Sequence, residues 1–278
     1  MFKKKQEMCC NIQRSIAPTF VFFFYLIYFF QISHYIRGTL MEVLHGKHIL
    51  VAGASGGIGR ETVKLLHQSG AIVYLTARRT DVMYALAGEL GIPTTRCIVM
   101  DITQPLSVQT AIASIHAQCQ RLDILINAVG LGIIKPIELL THEEFMQSLN
   151  VNLVGAFLLV KECLPPMKEA KKGLIINLPG VLGKTPMAGA MAYSAAKYGL
   201  NGMMKSLREE VKRTDIRITN MFLGGTDTAF WDTIDMRVQR EKFVTAKEAA
   251  KAIWFLCQQP SSGVVSEFVL QPFNHQAI

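Results

Sequence analysis

Tyr193 and Lys197 stand four residues apart in Tyr193-Ser-Ala-Ala-Lys197, inside a stretch with helical patterning. On a helix that spacing places both side chains on one face, so the lysine ammonium can lie beside the phenol. A neighbouring cation favours the phenolate and draws the tyrosine pKa toward the range of a working proton donor or acceptor. Taken alone, the pair also fits an ordinary exposed couple one helical turn apart. Far upstream, Gly53-Ala-Ser55-Gly56-Gly57-Ile58-Gly59 follows an apolar run and precedes an amphipathic one. Glycines at such a junction let the main chain turn tightly and approach an anion, while the start of the helix offers unpaired N–H groups. Those are the requirements for cradling a pyrophosphate. The same letters satisfy Gly53-x-Ser55-x-Gly57, a nucleophile-elbow spacing, but that chemistry needs a downstream acid and histidine. His67, His116, His142 and His275 have no context that marks any of them for the role.

These groups need a scaffold, and the rest of the chain supplies its pattern. From residue 47 short apolar runs alternate with amphipathic stretches, which is the mark of βαβ units and a parallel sheet. Strands are expected at 48–52, 72–77, 95–100, 124–128, 174–178, 216–223 and 267–271, and helices at 58–69, 82–90, 105–119, 142–171, 192–213 and 246–258. Strands apolar on both faces need helices on both faces, and right-handed crossovers then give an α/β fold: a doubly wound parallel sheet of about seven strands, Rossmann-type. No repeat, linker or low-complexity tract interrupts residues 41–278, so one domain is expected there, behind a hydrophobic extension at 1–40.

In order and spacing these segments resemble the short-chain dehydrogenases/reductases, over nearly all of residues 46–273. Gly53, Gly57 and Gly59 match the family's glycine motif, with Ala52 where threonine is common, and Ser55 and Ile58 complete the loop. Asp101-Ile102 matches the end of the third strand, which contacts adenine. Asn127-Ala128-Val-Gly130 resembles the Asn-Asn-Ala-Gly turn, Asn150-Val-Asn152-Leu the helix with the active-site asparagine, and Tyr193 with Lys197 the Tyr-x3-Lys signature. The resemblance implies that Tyr193 transfers a proton, that Lys197 also binds the nicotinamide ribose, and that Asn152 holds a water in a proton relay. Leu223-Gly-Gly225-Thr226-Asp-Thr228 resembles the segment bordering the nicotinamide, with leucine in place of proline, which puts Thr226 and Thr228 near the carboxamide or pyrophosphate. Residues 229–243 fall where the family places its substrate lid, and Phe230 and Trp231 suit an apolar pocket wall or packed core.

One departure matters. The family's serine lies thirteen residues before the tyrosine, and here that position is Gly180. Losing one carbonyl-polarising donor costs about 10²–10³ in rate. Thr185, Ser194 or a bound water are the substitutes at hand. At the end of the second expected strand, Ala77 cannot accept ribose hydroxyls as an acidic residue would, whereas Arg78 can pair with a 2′-phosphate, so NADP(H) is favoured over NAD(H). Arg79 is expected to be solvated or stacked on adenine. The resemblance thus implies an NADP-dependent oxidoreductase moving hydride between nicotinamide and a carbonyl or hydroxyl group of a small apolar substrate. A catalytically weak NADP(H)-binding sensor or scaffold is the alternative. Family members also form homodimers or homotetramers through two long helices, here around 143–160 and 192–213, although burial within one protomer explains the same apolar faces.

Composition narrows the setting. The formal charge of +8 is concentrated at the start, where residues 1–40 hold five Lys/Arg against one Glu, leaving 24 basic and 20 acidic residues, or +4, for the remainder. That is too dispersed for nucleic-acid binding. The six cysteines show neither metal-ligand spacing nor a secreted-type framework and read as reduced thiols, which fits a cytoplasmic domain. Residues 15–36 carry no Lys, Arg, Asp or Glu and approach the length of a membrane span, with Lys3, Lys4, Lys5 and Arg14 before them. An uncleaved anchor there would send the following domain away from the cytoplasm under the positive-inside rule. Translation from Met41, a few residues before the first strand, removes that conflict, and both starts stay open. Cys9-Cys10 beside an anchor is a weak palmitoylation candidate.

Overall fold

The computed structural model describes residues 44–119, 121–260 and 262–274. The hydrophobic run at 15–36, Cys9, Cys10, Met41 and His275 lie outside the described residues. Among those described, no helix is long and apolar enough to cross a membrane. Nine strands are described: β1 (His48–Ala52), β2 (Ile72–Ala77), β3 (Cys97–Val99), β4 (Ile124–Asn127), β5 (Lys172–Asn177), β6 (Asp215–Leu223), β7 (Thr226–Asp227), β8 (Val244–Thr245) and β9 (Glu267–Leu270). Seven of them form one parallel sheet in the order β3-β2-β1-β4-β5-β6-β9, the doubly wound Rossmann-type arrangement expected from the alternating pattern.

Helices α1 (Gly57–Gln68), α2 (Thr80–Leu90) and α7 (Ala246–Leu256) cover one face, where Val63, Leu66, Met83, Leu86 and Ile253 meet the sheet. The other face is covered by α3 (Pro105–His116), by α4 (His142–Leu149) running into α5 (Gly155–Glu169), and by α6 (Met191–Val211), through Val108, Ile112, Leu159, Cys163, Leu200 and Met204. Each fully buried aliphatic side chain of this kind contributes about 1.5–3 kcal/mol, which is why Ile and Leu runs without alternation form the central strands. Cys97, Cys119, Cys163 and Cys257 are buried free thiols, and burial pushes Cys163 and Cys257 far above the ordinary thiol range.

Three elements differ from the sequence expectation. β3 begins only at Cys97, because Pro93 opens a 3₁₀ turn over Thr94–Arg96 closed by Arg96 N–H to the Pro93 carbonyl at 2.9 Å. The helix expected over 142–171 is interrupted by a π-helical turn at Asn150–Val154. There Asn152 Nδ2 donates to the Ser148 carbonyl at 3.0 Å, diverting an acceptor of the regular i→i−4 ladder. Finally, β7 and β8, two short strands the sequence pattern did not announce, pair parallel to each other on either side of the 229–243 segment.

Where the chain finishes β3 and crosses to β4, the sheet order reverses between β1 and β4. A crevice opens beyond the carboxyl ends of those two strands, the place where doubly wound sheets bind ligands. The turn after β1 and the turn after β4 touch there: a Cβ built on Gly53 would lie 3.0 Å from the Ala128 backbone. Gly53 itself sits at φ +86.

Candidate active site

The glycine loop is shaped for an anion. Gly53 N–H and Ala54 N–H donate to the Thr76 carbonyl at 2.9 and 3.1 Å, which folds the loop back over β2. A Cβ at Gly59 would approach Gly53 C to 2.9 Å, and one at Gly57 would approach Thr228 Cγ2 to 2.7 Å, so both positions need bare backbone. The first turn of α1 has neither a side-chain cap nor an acidic residue, leaving its amides for an incoming anion. Ile58 packs partly buried against the core while its carbonyl accepts Thr62 Oγ1 at 2.8 Å. Opposite, Thr228 brings the segment after β6 onto the loop, and Thr226 is held by Thr226 Oγ1 donating to Gly224 O at 3.1 Å. The Phe243 ring lies over Gly225, within 2.7 Å of where a Cβ would stand.

The carboxyl end of β4 carries the next group. Asn127 Nδ2 donates to Asn177 Oδ1 at 3.2 Å, and Asn127 Oδ1 accepts from Val129 N–H at 3.3 Å. This asparagine therefore ties neighbouring strand ends together and sets the Ala128–Gly130 turn. Asn152, buried in the π-helical turn, clamps the same turn further on: Oδ1 accepts from Leu131 N–H at 3.1 Å and Nδ2 donates to the Leu131 carbonyl at 2.9 Å. Its side chain is thus tied to backbone at both ends, with Oδ1 keeping one further acceptor site. Gly130 borders both groups of interest, since a Cβ there would lie 3.6 Å from Asn152 Oδ1 and 3.8 Å from Lys197 Nζ.

On α6, Tyr193 and Lys197 do share a face, with Lys197 Nζ 5.4 Å from the tyrosine ring centroid. Lys197 is buried and donates to the Leu178 carbonyl at 3.0 Å. Burial pulls its pKa from 10.5 down to about 8 and pushes the Tyr193 phenol up. In the chain by itself desolvation therefore outweighs the expected lowering of the tyrosine by its cation. The arrangement is a buried ammonium beside a phenol ring, with the ammonium bordering the Ala128–Gly130 turn that touches the glycine loop.

A profile of the short chain dehydrogenase family matches residues 47–238, which span the glycine loop, the strand-end asparagines and the Tyr-x3-Lys pair. The chain belongs to that family. An uncharacterized oxidoreductase of Staphylococcus saprophyticus is 31% identical over 241 residues, covering 84% of this chain and 98% of the relative. A 3-ketodihydrosphingosine reductase of Bacteroides thetaiotaomicron is 34% identical over 184 residues, 66% of this chain and 65% of its own length. Among solved structures, a metagenomic short-chain oxidoreductase in complex with NADP superposes with TM-score 0.71 at 27% identity, covering 83% of this chain and 99% of that one. The alcohol dehydrogenase of Thermococcus sibiricus complexed with 5-hydroxy-NADP, at 24% identity and TM-score 0.74 over 84% and 99%, shares the fold.

This short chain dehydrogenase is an oxidoreductase whose site shows contacts that the sequence did not specify, and one residue, Arg240, that it did not single out. Arg79 is exposed, yet its Nη2 donates to the Ser55 carbonyl at 2.6 Å, so it reaches back over the glycine loop. Arg78 lies close enough to Asp101 to help lower that carboxyl, after the backbone N–H of Thr103. Asp101 Oδ1 accepts from both Thr103 N–H (3.0 Å) and Thr103 Oγ1 (2.8 Å), and Ile102 is buried against Gly155 of α5. Only the succession of two arginines after Ala77 hinted at this pairing. Arg240 was invisible to motif reading: its Nε donates to Asp227 Oδ1 (2.6 Å), Nη1 to Asp232 Oδ1 (2.6 Å) and Nη2 to the Thr228 carbonyl (3.0 Å), clasping the two ends of the 229–243 segment.

Gly180 is more than a serine without its hydroxyl. It sits at φ 69, ψ 170, a region essentially reserved for glycine, and leads into a 3₁₀ turn over Val181–Gly183. The loop after β5 thus takes a path that an L-residue adopts only under strain. Of the suggested substitutes, Ser194 Oγ is buried without a hydrogen-bond partner, and Thr185 N–H donates to the Val181 carbonyl.

Proposed function

We propose that the protein is an NADP(H)-dependent carbonyl reductase or alcohol dehydrogenase, with Tyr193 as proton donor and acceptor and Lys197 as the cation beside it. The observation that carries this reading is Lys197, buried, anchored on the Leu178 carbonyl, set against the Tyr193 ring and bordering Gly130 of the turn that touches the glycine loop. The fit to a dinucleotide rests on that cradle, the uncapped start of α1 and the absence of acidic residues in its first turn. When bound, the nicotinamide supplies hydride chemistry at carbon. Gly53, Ser55, Gly57, Ile58 and Gly59 would hold the pyrophosphate, Asp101, Ile102, Asn127, Ala128 and Gly130 the adenosine side and the crevice floor, and Gly225, Thr226 and Thr228 the opposite wall.

Arg78 and Arg79 support NADP(H) over NAD(H). One stands by Asp101 and the other by Ser55, so two guanidinium groups border the end of β2 where no carboxylate follows Ala77. The NADP complex of the metagenomic relative agrees with this preference. At the other end, Tyr193 would hold the proton for a substrate oxygen, while Asn152, which fixes the Leu131 backbone, would hold the water of a proton relay to Lys197. The apolar residues around Tyr193 suit an uncharged carbonyl substrate, in keeping with a relative named as a keto reductase.

NADPH oxidation across a panel of ketones and aldehydes tests the proposal. Wild type should turn over at least one, and Tyr193→Phe should lower kcat/KM by about 10²–10⁴. Equal inertness of wild type and variant, with NADPH still bound, would instead favour a sensor or scaffold, the reading that Gly180 supports. Residues 41–278 are proposed as the catalytic domain, active without 1–40 and assembling as a homodimer or homotetramer.

A further inference from the structure

Phe230 lies directly on the reacting end of the site. Its ring centroid is 5.7 Å from that of Tyr193, tilted by 57°. The ring also fills the space that a side chain at residue 132 would need: a Cβ built on Gly132 would lie 2.6 Å from Phe230 Cε2 and 2.9 Å from Ile234 Cδ1. Ile134, Ala190 and Ile234 are buried around the ring, with Leu182 and Met187 packed on them, and none of these carries a charge. The backbone on either side is pinned. Phe230 N–H donates to Thr228 Oγ1 at 3.3 Å, Trp231 Nε1 donates to the Thr226 carbonyl at 3.0 Å, and Arg240 clasps Asp227 and Asp232. The ring itself is held only by packing.

A carbonyl oxygen that receives the Tyr193 proton must come within about 2.6–3.2 Å of the hydroxyl. The substituents on its carbon then extend across the tyrosine, into the volume between Tyr193 and Gly132 that the Phe230 ring holds. With the flanking backbone fixed, the ring can yield only by rotating about its own side-chain bonds, so the space it releases is bounded by its own size.

We propose that Phe230, with Gly132 as its matching hollow, determines substrate size at this site. The substituent of an uncharged ketone or aldehyde takes the place of the Phe230 ring, and compact apolar substituents are therefore preferred to extended ones. This inference rests on the reductase reading for its setting, and its test is arranged so that the two fail separately.

Calorimetric titration of the full chain with cyclohexanone, a compact probe, and 4-phenyl-2-butanone, an extended one, measures the preference with and without NADP⁺. Neither ketone can be reduced by the oxidised cofactor, so binding is read without turnover. Wild type should favour cyclohexanone. Phe230→Ala should shift the affinity ratio toward 4-phenyl-2-butanone by about tenfold or more, the scale of discrimination set by hydrophobic pocket size. Phe230→Leu, which keeps most of the packing and guards against misfolding of the alanine variant, should shift it part-way. Gly132→Ala should weaken both probes in the Phe230 background and have a smaller effect beside Phe230→Ala, where the added methyl meets only the end of the Ile234 side chain. An unchanged ratio in both Phe230 variants, or Gly132→Ala acting equally in both backgrounds, would overturn the proposal. If the ratio shifts but wild type consumes NADPH with no member of the ketone and aldehyde panel, the reductase reading falls and the size filter stands. If wild type reduces both ketones and the ratio does not move, the size filter falls alone.

Discussion

Lys197 gives the most quantitative test of the site, because its burial leaves a trace in stability as well as in activity. Its pKa is about 8 in the folded chain against 10.5 for the unperturbed group. Between those values the unfolded chain binds more protons than the folded one, so stability rises with pH. The penalty for holding the ammonium is about 3 kcal/mol at pH 7 and falls to about 1 kcal/mol by pH 10, a gain of roughly 2 kcal/mol across that window. Lys197→Met removes the titrating group. It also strips the Leu178 carbonyl of its donor, a cost of about 1–3 kcal/mol that does not vary with pH. The variant is therefore compared by slope and not by absolute stability. Urea unfolding of both proteins at pH 7, 8, 9 and 10 should show the wild-type midpoint climbing relative to the variant by about 0.7 M, taking m near 3 kcal/mol/M. Tyr193 and the buried cysteines titrate in both proteins and cancel in the difference. Parallel midpoints across the whole range would mean that the ammonium is not desolvated, and the assignment of Lys197 as a buried switch would be wrong.

Other perturbations probe other parts of the site. Gly180→Ser should lower stability by about 1–3 kcal/mol, because serine must adopt φ near +69. A thermal melt and a rate measurement together decide it, since an unchanged Tm with a rate gain of about 10²–10³ would show instead that only a hydroxyl was missing. Arg78→Ala and Arg79→Ala should each weaken NADPH binding by about 10- to 100-fold, the loss of a charge-assisted hydrogen bond, while leaving NADH affinity nearly unchanged. Fluorescence titration of both cofactors reads the ratio, and equal losses for NADH and NADPH would remove the basis for the NADP(H) preference.

The fold was legible because it follows from patterns that tertiary context seldom overrides. Uninterrupted apolar runs at Leu50, Ile126 and Ile175 require helices on both faces, and a glycine cluster between a strand and a helix permits few other structures. Boundaries were less legible where side-chain chemistry redirects the backbone. Nothing in the periodicity of residues 142–171 announces that Asn152 will take the Ser148 carbonyl and reach across to Leu131, so the π-helical turn could not be read. The Tyr193–Lys197 face was legible from spacing alone, whereas the direction in which Tyr193 shifts was not, because desolvation depends on what the fold packs around the hydroxyl. Arg79 and Arg240 illustrate the same limit from the surface. Their partners, Ser55, Asp227 and Asp232, are fixed by loop paths that carry no periodic signal. Gly180 looked like a deletion of chemistry, and its positive φ shows a change of backbone path as well.

The π-helical turn between α4 and α5 also settles a problem of alignment. Ser148, Asn152, Ala156 and Val160 are all buried, spaced four residues apart. In an unbroken α-helix twelve residues would carry Val160 roughly 120° around the axis from Ser148, enough to take it off the face they share. Absorbing one extra residue in the wider turn subtracts about 100° and leaves the row nearly straight. A single continuous stripe can then serve two ends, its first half holding the Leu131 turn through Asn152 and its second half packing into the core through Ala156 and Val160. Removing one residue from Asn150–Val154 would force the two halves to compete for one orientation, so either the Leu131 clamp or the packing of α5 would have to give way.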